Sequence, residues 1–67
     1  MNFLRVKDIH QPIEICINFD AIYMFEPDKS NPNASVIIVG EEAYTVDVSY
    51  DRLAKLVGAK SVNSNDC

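Results

Sequence analysis

Apolar and polar side chains alternate along the first half of the chain with the two-residue period of half-buried β-strands. Leu4 and Val6 alternate with charged residues and predict a short first strand. Pro12 then breaks the pattern, because proline cannot donate to a strand ladder. Isoleucines at positions 13, 15 and 17 alternate with Glu, Cys and Asn and give the strongest strand signal in the chain. A short interruption at 18–20 predicts a tight turn or bulge before a third strand over 21–25.

The second half of the chain predicts a loop followed by a β-hairpin. Residues 26–34 are rich in Pro, Asn, Asp and Ser, which are the residues of loops and turns. Residues 35–39 form a dense run of β-branched side chains, and Gly40 can adopt the positive φ that a hairpin turn requires. Alternation from 44 to 48 predicts the fifth strand.

After the fifth strand the period changes from that of a strand to that of a helix. Ser49 is a favourable N-cap, Gly58 is placed to be the C-cap, and apolar residues between them share one helical face: Leu53, Leu56 and Val57. The element order predicts an α+β fold, mostly β, with five short antiparallel strands in a curled sheet or a small SH3-like barrel and a short C-terminal helix. We expect residues 1–58 to form one β-rich domain and residues 59–67 to form a flexible polar tail.

A domain of 67 residues is expected to have low stability. Chains this short bury little apolar surface and usually rely on disulfides, a metal or oligomerisation. Cys16 lies in a strand pattern and is expected to be buried or half-buried, whereas Cys67 is expected to be a free thiol on a flexible end. The only histidine, His10, has no neighbour at a recognised ligand spacing, so no metal and no other cofactor is expected. Oligomerisation is left as the expected support.

The charge balance restricts the classes of partner. Ten Asp and Glu against six Lys and Arg give a net charge of −4, which disfavours binding to nucleic-acid phosphates and to anionic membranes. The sequence has no signal-peptide pattern and no apolar run of the roughly 20 residues that a membrane span needs. A cytoplasmic protein is therefore expected.

The alternation leaves more apolar side chains than one face of a sheet can bury. In the third strand Ile22 and Met24 are expected on one face and Tyr23 and Phe25 on the other. The fourth strand is apolar at every position after Ser35. One interpretation is a closed barrel, or a sheet covered by the helix and the N-terminal segment. The other is an interface with copies of this chain or with another protein. The residues assigned to this interface are Phe3, Tyr23, Phe25, Ile37 and Val39.

Catalysis finds no support in the residues. No pair of carboxylates is placed to converge in a cleft, no nucleophile has an oriented base, and the two glycines form no phosphate-binding loop. The first functional hypothesis is therefore a non-enzymatic protein-interaction module, a homo-oligomeric regulator or a phage accessory or inhibitor protein. An alternative is a binder of nucleotides or metabolites with a pocket between subunits that includes Arg5 and Lys7. A third is a reader of single-stranded nucleic acid through aromatics on the sheet.

The order of features matches a known type of small protein. The matching stretches are ICIN at 15–18, AIYMFEP at 21–27, SVIIVG at 35–40 and YTVDVSYD at 44–51. Together they give a strand ending in Asn, a short break, an Ile-rich strand ending in Glu-Pro, a hairpin and a Ser-capped terminal helix. In this order the chain resembles the small flagellar FlbD-like proteins and similar short bacterial and phage proteins over most of residues 3–57. The resemblance implies the same β-rich fold and a small accessory role, and it implies no catalytic residues.

Overall fold

The computed structural model describes residues 2–60 and contains one five-stranded antiparallel sheet and one helix. The strand order is β2-β1-β5-β4-β3, so β2 and β3 are the two edges of an open sheet. The mostly β, α+β architecture is confirmed, and a closed SH3-like barrel is not. The elements are β1 (Phe3–Asp8), β2 (Ile13–Asn18), β3 (Ile22–Pro27), β4 (Ser35–Val39), β5 (Glu42–Val46) and α1 (Tyr50–Val57).

A short junction between β1 and β5 divides the sheet into two halves. Asp8 and Val46 are the single residue pair in register between these strands, flanked by the bonds from Ile9 N to the Thr45 carbonyl and from Asp47 N to the Lys7 carbonyl. The β1–β2 hairpin and the β3–β4–β5 sheet each contribute their inner face to one core, and α1 adds a leucine. The buried core cluster comprises Val6, Ile17, Ile37, Val46 and Leu53.

A β-bulge in β3 changes which of its side chains face the core. Ile22 lies opposite Val39 in β4, but Met24 lies opposite Ile38, so Tyr23 is an extra residue in the strand. The bulge turns both Tyr23 and Met24 outward and returns Phe25 to the inner face, where it is half-buried. Strict alternation predicted Tyr23 and Phe25 on one face, and that prediction is wrong because of this bulge.

A tight turn joins β2 to β3, as predicted, whereas the end of β5 differs from the sequence prediction. The residues Phe19–Ala21 form one turn of 3-10 helix, and the Asn18 side chain caps it by accepting from Asp20 N at 3.0 Å. The fifth strand ends at Val46, two residues earlier than predicted. The hydroxyl of buried Ser35 donates to the Val48 carbonyl at 2.6 Å, so the chain leaves the ladder here and turns toward α1.

The prediction for Cys16 is wrong, and the predictions for the C-terminal tail and Cys67 are largely untested. Cys16 is exposed, not buried or half-buried, because β2 is an edge strand and Cys16 points to its outer face, paired in register with Arg5. The predicted tail over 59–67 lies outside the described residues apart from its first two positions, and so does Cys67.

The caps of α1 are those that the sequence predicted. The Ser49 hydroxyl accepts from Arg52 N at 3.3 Å, and Gly58 ends the helix at φ 69°, a conformation in which a side chain is strained. Leu53 is fully buried, whereas Leu56 is 50% exposed. The helix therefore packs on the core through a narrow stripe.

Replacement of the helix N-cap is expected to cost a moderate part of the stability. In Ser49→Ala the Arg52 amide loses its side-chain acceptor, and we expect the free energy of unfolding to fall by about 1 kcal/mol. Urea denaturation followed by circular dichroism measures this change. Ser49→Asp is the matched control, because it keeps an acceptor and should stay within about 0.5 kcal/mol of the parent. An equal loss in both variants would show that the cap does not act through this acceptor.

Candidate interaction surfaces

The outer face of the β3–β4–β5 sheet carries apolar side chains in neighbouring strands. Met24, Ile38 and Ala43 are cross-strand neighbours, because Ile38 is paired with Met24 on one side and with Ala43 on the other. Met24 is 42% exposed and Ala43 is exposed, while Ile38 in the central strand is half-buried. Tyr23 beside them is 79% exposed. These four residues are called the outer patch below.

The next row of the same face is mixed. Glu26, Val36 and Thr45 are cross-strand neighbours and lie one step from the outer patch along each strand. Val36 and Thr45 are half-buried, and Glu26 is exposed. The apolar surface is therefore bordered by a row with polar residues at its two ends, as protein interfaces often are at the rim.

The five residues assigned to an interface from the sequence do not form one surface. Phe3 and Tyr23 are exposed, but they lie in strands at different positions of the sheet, β1 and β3. Phe25 and Val39 are half-buried and pack against the core, and the Phe25 ring lies 5.4 Å from that of Tyr50 in α1. Ile37 is completely buried, so its assignment to a surface is wrong.

Sequence reasoning chose the wrong face of β4 and so missed Met24, Ile38 and Ala43. The strand is apolar at four successive positions, and periodicity within it gives no sign of which pair faces inward. The buried Ser35 settles the phase, since Ile37 and Val39 alternate with it onto the inner face. Serine is seldom fully buried in proteins, so the sequence of β4 does not reveal that Ser35 faces the core. The residues of the outer patch therefore cannot be identified from this strand alone.

A shallow apolar depression lies beside the start of β1. It has a volume of about 240 Å³ and is lined by Asn2, Phe3, Leu4, Phe19 and Leu56. Phe3 and Leu56 are 58% and 50% exposed, so their side chains form the open rim. The depression joins the start of β1 to the second turn of α1.

A larger cleft lies between β2 and the β4–β5 hairpin. It has a volume of about 310 Å³ and is lined by four successive residues of β2, at 15–18, together with Val39 and Tyr44. Ile15, Val39 and Tyr44 are half-buried here, and no ionisable carboxylate or amine is among the lining residues. The cleft is therefore an apolar opening into the side of the core.

The two cations suggested as ligand-binding residues lie apart from both cavities. Arg5 and Lys7 are exposed on the outer face of β1, and neither lines the depression or the cleft. The Arg5 guanidinium lies 4.0 Å from the carboxylate of Glu14, and Lys7 is paired in register with the same residue. Glu14 thus balances positive charge at this position of the sheet.

Asp8 has a local structural role in the turn that follows β1. Asp8 is buried, and its Oδ1 accepts from the backbone N–H groups of His10 and Gln11 at 2.9 and 3.3 Å. It therefore holds the β1–β2 turn, as Asp residues commonly do. Within residues 2–60, no three His, Cys, Asp or Glu side chains form a group that could hold a metal ion. The absence of metal and of catalysis stays a prediction.

Neither a membrane-spanning helix nor a similar known protein is found, the first within residues 2–60 and the second for the chain. No helix within the described range is long and apolar enough to cross a membrane. Comparison with protein-family models, curated proteins and solved structures finds no match to the chain. The resemblance to FlbD-like proteins and the cytoplasmic location therefore stay predictions.

Proposed function

We propose that the protein is a small non-enzymatic interaction module that associates with itself through the outer patch. The observation that carries the proposal is the row Met24, Ile38 and Ala43, which places apolar side chains on the solvent side of three adjacent strands. Contiguous exposed apolar surface of this kind is typical of protein contact sites. Such a module fits a regulator or a phage accessory or inhibitor protein.

The small size of the domain supports self-association. Within residues 2–60, six apolar side chains are buried, the five of the core cluster and Ala34, and a core of this size leaves a chain of 67 residues marginally stable. Burial of the outer patch in a second copy removes apolar area from water in both copies, and each Å² contributes roughly 25 cal/mol. Two copies of one face also form a closed, two-fold symmetric dimer, the commonest assembly of soluble proteins.

A charge placed in the outer patch should convert the assembly into monomers. In Ile38→Lys an ammonium group stands in the middle of the patch, and two copies that face each other would bring two like charges together in an apolar contact. We expect the dissociation constant of the oligomer to rise at least about 100-fold, since burial of an unpaired charge costs several kcal/mol. Sedimentation velocity across a concentration series measures the change.

The matched control is Gln11→Lys, which makes the same change of net charge in an exposed turn. It should sediment as the parent protein does. Circular dichroism should show both variants folded, because Ile38 is outside the buried core. A parent protein that is monomeric at millimolar concentration, or an Ile38→Lys variant that assembles like the parent, would contradict the proposal.

A further inference from the structure

Among the strands of residues 2–60, β2 is an edge strand, and one side of it presents a regular row of backbone groups that no other strand of this range pairs with. The bond from Phe19 N to the Asn2 carbonyl, 2.8 Å, continues the β1–β2 ladder one pair beyond Phe3 and Asn18. In an antiparallel ladder every second pair exchanges hydrogen bonds, so the odd-numbered residues of β2 bond to β1. The N–H and C=O groups of Glu14 and Cys16 therefore point away from β1, toward the free edge.

The 310 Å³ cleft follows this edge. Four successive residues of β2 line it, and successive residues of a strand point to opposite faces. A cavity that touches all four must run along the edge of the strand and not across one face alone. Its other wall is Val39 and Tyr44, so a chain lying against β2 finds hydrogen-bonding groups on one side and an apolar wall on the other.

The other edge of the sheet is protected, and the β2 edge is not. The bulge at Tyr23 interrupts β3, and this strand ends at Pro27, which has no N–H to offer. Bulges and prolines are the usual means by which proteins prevent pairing at sheet edges. In contrast, β2 keeps a regular register over its full length and contains no proline and no lysine. The contrast indicates an edge that is kept open for pairing.

The surroundings of the cleft are acidic. Exposed Glu41 lies in the β4–β5 turn, exposed Glu42 begins β5 opposite Val39, and exposed Asp20 lies two residues after Asn18. Glu14 on the edge strand lies beside Arg5 and Lys7 of β1, so the excess of negative charge comes from Glu41, Glu42 and Asp20. The net charge of −4 makes a second copy of this chain a poor occupant of an acidic site, whereas a basic segment is attracted to it.

We infer that the β2 edge and the adjoining cleft bind an extended basic segment of a partner protein. The segment pairs with Glu14 and Cys16 as an added strand, places alternate apolar side chains in the cleft, and carries Lys or Arg beside Glu41, Glu42 and Asp20. Main-chain hydrogen bonds give affinity and the pocket for alternate side chains gives specificity, as in other strand-addition sites. This surface is separate from the outer patch, so either site can fail in experiment without the other.

A synthetic peptide tests the inference directly. The probe is fluorescein-labelled Lys-Lys-Val-Thr-Val-Thr-Val-Lys-Lys, whose valines occupy alternate positions of a strand, and binding is measured by fluorescence anisotropy. We expect it to bind at least about 10-fold more tightly than the same peptide with Glu in place of Lys. The difference should shrink as salt is added, because exposed charges are screened within roughly 10 Å at 0.1 M salt. Equal binding of both peptides, or no binding of the Lys peptide at millimolar concentration, overturns the inference.

A matched pair of variants tests the contribution of the edge itself. Cys16→Pro removes the free N–H donor without removing a bond to β1, and proline is tolerated at an edge whose N–H faces outward. Cys16→Ser keeps the donor. We expect Cys16→Pro to bind the Lys peptide at least about 10-fold more weakly than Cys16→Ser, and equal affinities overturn the inference.

A replacement variant and a sedimentation control complete the test of the β2 edge. If Cys16→Pro does not fold, the double variant Glu41→Lys, Glu42→Lys replaces it, because both residues are exposed, one in the β4–β5 turn and one at the start of β5. This variant should bind the Lys peptide at least about 10-fold more weakly than the parent, and unchanged affinity overturns the inference. Sedimentation velocity of Cys16→Ser and Cys16→Pro without peptide completes the test. Loss of self-association in Cys16→Pro alone would show that a second copy occupies the edge and would overturn the assignment to a basic partner.

Discussion

Leu53→Ala is expected to unfold the helix and to remove most of the stability of the domain. Leu53 is completely buried in the core cluster and is the only residue of α1 with that degree of burial. Truncation of a buried leucine to alanine costs about 2–5 kcal/mol, against a total stability of roughly 3–10 kcal/mol for a chain of this length. An eight-residue helix has little stability without packing, so α1 should detach when this contact is lost.

Thermal unfolding by circular dichroism checks this prediction. We expect the melting temperature of Leu53→Ala to fall by at least about 10 °C, since one kcal/mol corresponds to about 4–8 °C for domains of this size. Leu56→Ala on the same helix is the control, because Leu56 is half in solvent and its truncation should cost less than about 1 kcal/mol. Similar losses in the two variants would mean that α1 packs through a different stripe.

Ile37→Ala should also lose most of the folding free energy, whereas Ile38→Ala next to it should not. Ile37 is completely buried between Phe25 and Tyr44 on the neighbouring strands. Removal of its side chain leaves a cavity in the centre of the core and costs about 2–5 kcal/mol. Ile38 lies on the outer face and is half-buried, so its truncation should cost about 1 kcal/mol.

Urea denaturation of both variants measures the difference, and it should be done at a concentration at which the parent is monomeric. At higher concentration Ile38→Ala also weakens the proposed self-association and would lose the stability that assembly adds. A larger loss in Ile38→Ala than in Ile37→Ala would show that β4 has the opposite phase. The outer patch would then be part of the core.

The local elements could be predicted closely because their signals are short-range. The alternation at 13–17 predicts β2, and Ser49 and Gly58 predict both ends of α1, since capping depends on side-chain and backbone geometry within one turn. Gly40 likewise marks the hairpin turn, where it has φ 62°. Each of these features depends on residues a few positions apart, and the structure confirms each of them.

The candidate surfaces could be predicted only in part. The surplus of apolar residues indicates that the sheet has a second apolar face, and the outer patch confirms that such a face exists. Which residues belong to this face depends on which side chains of β4 point inward and on the bulge at Tyr23. An apolar strand has no internal alternation, and a bulge depends on pairing with a neighbouring strand, so neither feature can be deduced from periodicity.

By itself, the sequence determined the number and order of the elements, the caps of the helix and the excess of apolar side chains, because these depend on composition and on neighbours along the chain. Only the tertiary structure decided that Ile37 is buried and Ile38 faces outward. It also decided that Cys16 is exposed at an open edge and that a cleft follows that edge. The physical reason is that burial depends on which strands pair and in which register, and pairing joins residues far apart in the chain. A shift of one residue exchanges the two faces of a strand, so the surfaces available to partners are fixed only when the whole sheet has formed.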